Sequence, residues 1–181
     1  PVAPQFVGVP ALVPAAIRGS AFLYGPITLN ALSAPVTFTA TGLPAGLSVN
    51  PVSGNVSGIP TAEGTFNVTL TATNATPPAA THSFTIVVQP PPPVITSPAA
   101  ASAVAGTAFS YTVTALPATG VTFTTSVLPG WLSFNAATGE LSGTPTESGV
   151  TTVSITATNA TGAAILPLSI VATLPANAPA Y

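Results

Sequence analysis

The stretch LSVNPVSGNVSGIPT (47–61) decides how this sequence is read. It packs Asn, Pro, Gly and Ser into three closely spaced turn signals with no charged residue among them. Taken alone, such a segment suits a ligand-binding loop, a glycosylated loop or a structural turn. The stretch LSFNAATGELSGTPT (132–146) repeats it 85 positions later, with eight of fifteen residues identical. A fixed-period repeat of this kind marks duplicated supersecondary structure. The constant members, Leu47/Leu132, Asn50/Asn135, Gly54/Gly139, Gly58/Gly143 and Pro60/Pro145, are an apolar anchor and residues that turn a chain. The variable pair, Asn55 against Glu140, stands where a ligand or glycan would need constancy.

The repeat extends outward from this stretch. LPAGLSVN (43–50) matches LPGWLSFN (128–135), TLTATNAT (69–76) matches SITATNAT (154–161), and GSAFLY (19–24) matches GTAFSY (106–111). Duplication spans almost the whole chain of 181 residues, and two domains of this size are expected. The boundaries predicted are 1–89 for the first domain, 90–93 for a proline linker within QPPPPVITSP (89–98), and 94–181 for the second. A proline run favours extended polyproline II and spaces its neighbours semi-rigidly. The ends PVAPQF (1–6) and LPANAPAY (174–181) resemble pieces of the same joint. With a start at Pro1 and no Met, they fit a processed chain or an excerpt of a longer array.

Each copy reads as β-structure. In TFNVTLTATN (65–74), Phe66, Val68, Leu70 and Ala72 alternate with polar residues, the period of a strand with one buried face. VTTVSITATN (150–159) keeps Val153, Ile155 and Ala157 in phase. Further strands are expected at 36–40, 82–88, 109–113, 121–125 and 166–172, and no window has helical spacing. Several short strands with turns between them indicate an antiparallel β-sandwich in each copy.

Composition excludes most chemistry. Charged residues are 2% of the chain, namely Arg18, Glu63, Glu140 and Glu147, with His82 the single histidine and no cysteine. One Arg and no Lys cannot neutralise a phosphate backbone, so nucleic acid is excluded as a partner. Although 47% of residues are hydrophobic, polar residues, Gly or Pro interrupt every apolar run, so no spanning helix and no membrane insertion are expected. A lone His without any Asp cannot form a nucleophile–base–acid set. His82 is expected at a surface or sheet edge. Glu140 and Glu147 have Asn55 and Ala62 at the matching first-copy positions, so a shared carboxylate site is not expected. The chain is expected to be no enzyme and to need no metal or other cofactor.

The two segments LPAGLSVNPVSGNVSGIPTAEGTFNVTLTATN (43–74) and LPGWLSFNAATGELSGTPTESGVTTVSITATN (128–159) resemble the bacterial putative Ig-like domain family (He-PIG), related to dystroglycan-type cadherin-like domains. The resemblance covers nearly all of both copies; Trp131 departs from the usual Gly, which stands at Gly46 in the first copy. It implies an all-β chain of two tandem Ig-like sandwiches in a bacterial extracellular or cell-surface protein. Relatives of the cadherin type bind calcium between modules, but this chain has no Asp and only three Glu.

Two function classes remain. The favoured one is structural, a module or protomer of a surface fibre, sheath or layer. Sparse charge would let its surface be covered by copies of itself or by neighbouring Ig-like modules without stranding ions. Residues 1–13 are then a candidate strand for completing a neighbour's sheet. The alternative is an adhesin-type module recognising a carbohydrate or a partner surface, with Trp131, Tyr24 and Tyr111 as its stacking aromatics. Trp131 suits a local core or an interdomain plug better than a ligand platform. Four sequons occur, at Asn55, Asn67, Asn74 and Asn159; of these Asn74 and Asn159 recur in both copies as candidate glycan acceptors. The same TATNAT segment also suits a strand end turning through Asn.

Overall fold

The computed structural model describes residues 2–30 and 35–176. It divides into two compact units, Pro1–Pro91 and Pro92–Tyr181. The closing residues 177–181, part of the segment read as a joint fragment, lie outside the described residues.

In the first unit the strands are β1 (Phe6–Gly8), β2 (Ala16–Ile17), β3 (Phe22–Tyr24), β4 (Thr28–Leu29), β5 (Thr37–Thr41), β6 (Leu47–Val49), β7 (Val56–Gly58), β8 (Gly64–Thr73) and β9 (Ala80–Gln89). In the second they are β10 (Val94–Ile95), β11 (Ala100–Val104), β12 (Phe109–Thr112), β13 (Ala115–Leu116), β14 (Thr122–Thr125), β15 (Leu132–Asn135), β16 (Glu140–Gly143), β17 (Gly149–Asn159) and β18 (Gly162–Thr173). Each unit is a sandwich of a four-stranded and a three-stranded sheet. The first has order β2-β9-β8-β5 facing β3-β7-β6, and the second β11-β18-β17-β14 facing β12-β16-β15. The small pairs β1-β4 and β10-β13 stand beside them.

The alternation read from the sequence determines which side of each strand is buried. Val68, Leu70 and Ala72 on β8 and Ile86 and Val88 on β9 meet Phe22, Tyr24 and Val56 of the facing sheet, all at most 5% exposed. Val153, Ile155, Leu168 and Ile170 meet Leu141 and the nearly buried Phe109 and Leu132 in the second unit. Fully burying each such aliphatic side chain contributes about 1.5–3 kcal/mol.

The repeated stretch turns out to be a hairpin in both units. β6 pairs antiparallel with β7, and β15 with β16. Its bend is an Asx turn: Asn50 Oδ1 accepts from the N–H groups of Val52 (2.9 Å) and Ser53 (3.0 Å), and Asn135 Oδ1 from those of Ala137 (3.0 Å) and Thr138 (3.4 Å). Gly54 and Gly139 close it with φ of +73° and +72°, where a side chain would be strained. Gly58 and Gly143 are constant because a Cβ there would meet the carbonyl oxygens of Gly46 and Trp131 at 2.2 and 1.9 Å. Pro60 and Pro145 are buried, and their carbonyls accept from Gly19 N–H (2.9 Å) and Gly106 N–H (2.8 Å).

Two features differ from the sequence reading. β2 and β11 pair parallel with the last strands, Ala16 opposite Val88 and Ala100 opposite Ser169, so each four-stranded sheet is mixed. These segments are Ala-rich and carry little intrinsic strand preference; the neighbouring strand supplies it. In addition, Phe6–Gly8 of the terminal segment pairs with Thr28–Leu29 of its own unit, and Phe6 packs on the first core. That part of residues 1–13 completes its own fold rather than standing free.

Candidate functional site

The aromatic residues separate by environment. Tyr24 on β3 is 1% exposed, stacked on Phe84 at 4.3 Å, with its hydroxyl 3.1 Å from His82 Nε2. Burial raises its phenol pKa above the ordinary value. It has no face left for a ligand. His82 is half-buried where β9 pairs only with β8, so it stands at a sheet edge but points to the core side, in phase with Phe84, Ile86 and Val88 and against Phe84 (5.5 Å) and Phe6 (5.7 Å). The histidine is thus a packed hydrogen-bonding partner of Tyr24. Tyr111, the counterpart of Tyr24, is half-buried and donates its hydroxyl to the carbonyl of Pro98.

Trp131 lies in the turn before β15 and is half-buried. Its ring meets Phe109 at 6.1 Å and 75°, an edge-to-face arrangement that orients it. The equivalent Gly46 has φ +90°, and a Cβ there would stand 2.0 Å from the carbonyl oxygen of Ile59. No described non-glycine residue has positive φ, so Trp131 is accommodated by a different local backbone. Trp131 also lines an open, mostly polar groove of about 250 Å³ with Thr146, Glu147, Ser148 and Thr151. The side chains of Glu147, Thr146, Ser148 and Thr151 have no hydrogen bond or ion pair among the described residues.

The carboxylates do not form a shared site with common partners. Glu140 Oε1 accepts from Ser110 Oγ at 2.6 Å on the outer side of β16, whereas Glu147 lines the groove. Glu63 pairs with Arg18 Nε at 2.8 Å, both roughly two-fifths exposed. Among the described residues no group of three or more His, Cys, Asp or Glu comes together. No described helix is long and apolar enough to cross a membrane.

The sequon residues also separate. Asn74 Nδ2 donates to the Val2 carbonyl (2.7 Å) while its Oδ1 accepts from Thr76 N–H (2.8 Å). Asn159 Oδ1 accepts from Thr161 N–H (3.0 Å), Thr161 Oγ1 (2.8 Å) and Gly162 N–H (3.1 Å), forming the β17–β18 turn. Asn67 is exposed on β8, its Oδ1 accepting from Thr85 Oγ1. Asn55 Oδ1 is buried without a hydrogen-bond partner among the described residues, and a Cβ on Gly25 would meet it at 2.4 Å. The turn chemistry at Asn74 and Asn159 was legible in TATNAT; the groove beside Trp131 was not, because it assembles from segments far apart in sequence.

Comparison with known proteins agrees with this architecture. The family described as "Putative Ig domain" (He_PIG) matches residues 6–89 and 92–173. The serine-rich adhesin for platelets of Staphylococcus aureus strain USA300 is 36% identical over 131 residues, which is 70% of this chain and 6% of the adhesin. Its counterpart in strain MRSA252 is 35% identical over 131 residues, 70% of this chain and 10% of that protein. The chain therefore spans only a small part of the curated relatives it matches. Among solved structures, the insect immune protein hemolin superposes with a TM-score of 0.63 at 17% identity, covering 95% of this chain and 47% of hemolin. Sidekick-1 immunoglobulin domains 1–4 give 0.55 at 14% identity, covering 94% of this chain and 49% of theirs. At these identities the structural likeness establishes the fold alone: two tandem Ig-like β-sandwiches.

Proposed function

The chain belongs to the Putative Ig domain family, in two tandem copies, and from that premise we propose that it is a non-enzymatic structural segment of a bacterial cell-surface protein. Its partners are copies of itself or neighbouring Ig-like modules in a fibre, sheath or layer. The observation that carries this reading is the outer face of the first unit's larger sheet. Cross-strand registers align Thr39, Thr71 and Thr81 in one row and Thr41, Thr69 and Ser83 in the next. That face is wet, flat in chemistry and free of ions, so a second copy can cover it without burying an unpaired charge. Negative-stain imaging of the concentrated protein should show fibres or sheets without added ligand. The double variant Thr39→Lys with Thr71→Lys should abolish them while leaving the far-ultraviolet circular dichroism unchanged. Uniform monomers of the unmodified chain at high concentration would overturn the assembly reading.

A second reading is adhesin-type recognition of a carbohydrate or a partner surface. It is favoured by the groove at Trp131 and by relatives that are named as adhesins. Binding of the chain to immobilised glycans or protein-coated surfaces tests it, and absence of binding to both would remove it.

A further inference from the structure

The structure assigns the groove beside Trp131 as a subsite for one neutral pyranose unit, an inference that rests on the adhesin reading and names its ligand class.

Three positions that differ between the copies line this groove at one end of the second sandwich. Gly46 in the first unit is replaced by Trp131, Phe66 by Thr151 and Val88 by Ala172. A large ring is added in the turn before β15, while the strand positions beside it become small. In the first unit Phe66 packs on the core and Arg18 is tied to Glu63 at 2.8 Å. In the second, Ala105 and Ser148 take the places of that ion pair, and Glu147 replaces Ala62. The second unit thus acquires a tryptophan, a carboxylate and hydroxyls around one groove, none of the polar ones committed elsewhere among the described residues.

These are the groups a sugar ring uses. The C–H face of a pyranose lies against an aromatic ring, and its hydroxyls donate charge-assisted hydrogen bonds to a carboxylate. Thr146, Ser148 and Thr151 add hydroxyls that both donate and accept. The groove, about 250 Å³, is smaller than the roughly 300–1,000 Å³ of sites for drug-sized ligands, which suits one ring rather than an extended chain. An unpaired carboxylate repels acidic sugars, so the ligand is neutral.

Trp131 is the single tryptophan of the chain, so its fluorescence reports the groove directly. The titration uses methyl glucoside, methyl galactoside, methyl mannoside and N-acetylglucosamine, with N-acetylneuraminic acid as the acidic probe and tetramethylammonium as the cationic one. At least one neutral sugar should give a saturable change with a dissociation constant of about 1–50 mM, the weak range of a single shallow contact. Glu147→Gln should weaken it by about tenfold or more, which corresponds to the loss of about 1.4 kcal/mol. Thr151→Phe, importing the first copy's residue, should abolish it. The thermal transition of each variant verifies that the second unit is folded, and Glu147→Gln keeps the test decisive if Thr151→Phe is not. No saturable change with any neutral sugar, an equal response in Glu147→Gln, or saturation with tetramethylammonium alone would overturn the assignment. Retained binding to protein-coated surfaces in a chain that binds no sugar would sink the subsite and leave the adhesin reading standing; loss of both would sink both.

Discussion

The two units use one frame to hold different interiors, and their paired tyrosines show how. Tyr24 and Tyr111 occupy matching positions on β3 and β12. In the first unit the hydroxyl meets His82, which joins Phe6, Phe84 and Tyr24 in an aromatic cluster. In the second unit the position matching His82 is Leu166, packed on the core, and Tyr111 instead bonds to the Pro98 carbonyl. The buried Tyr24 hydroxyl must find a partner and the half-buried Tyr111 hydroxyl finds another, so the fold does not prescribe which one. The hairpin allows no such freedom. Its Asn, Gly and Pro residues are fixed in both copies by turn geometry and backbone approach.

The largest effect is expected at the two cores. Leu141→Ala should cost the second unit about 2–5 kcal/mol, because the side chain is completely buried. Val56→Ala, at the matching site, should cost the first unit less, since one fewer methylene is removed. Denaturant unfolding should resolve two transitions, each variant moving only its own. A single transition shifted equally by both variants would show that the cores are not energetically separate.

A smaller effect is expected at the turn where the copies diverge. Gly46→Ala should destabilise the first unit by about 1–3 kcal/mol through left-handed strain and the approach to Ile59. The thermal midpoint of the first transition measures this. An unchanged midpoint would mean that the first unit can adopt the backbone that the second uses at Trp131.

Tyr24→Phe sharpens the difference between the tyrosines. Loss of the hydrogen bond to His82 should cost about 0.5–1.5 kcal/mol at neutral pH. The pH dependence has a definite sign. Burial raises the folded-state phenol pKa, so the unfolded chain ionises first as pH rises past about 10. The stability in question is fully present below that value and is lost as pH rises through the folded value. Tyr24→Phe should therefore flatten the alkaline loss of stability in the first unit, and an unaltered alkaline slope would contradict the assignment. The smallest effect belongs to Arg18→Ala, about 0–1 kcal/mol and weaker in high salt, because the Arg18–Glu63 pair is well exposed.

Much of the frame was legible in the sequence. Alternation in 65–74 and 150–159 marked the long central strands because period two is the geometric signature of a pleated strand. The duplicated turn residues marked the bends, and the pairing on either side made them hairpins. The orientation of His82 was also present in the alternation His82, Phe84, Ile86, Val88, although a lone polar residue at a strand start reads more readily as surface. Tyr24 alternates with Phe22 in the same way, and that phase points it inward rather than toward a ligand. Ala100–Val104 gave no such signal, since its membership in the sheet comes from pairing with β18.

By itself, then, the sequence determined the duplication, the β character and the absence of groups for most catalytic chemistry, because each follows from local period or from composition. Only the tertiary structure decided which hydroxyl meets which partner, that the terminal strand closes its own unit, and that Trp131 shares a groove with Glu147 and Thr151. Those facts depend on contacts between residues distant along the chain, and no local pattern encodes them. The stretch at 47–61 belongs to both accounts: its turn residues can be read in sequence, while the need for glycine at 58 and 143 appears only when the carbonyls of Gly46 and Trp131 approach them.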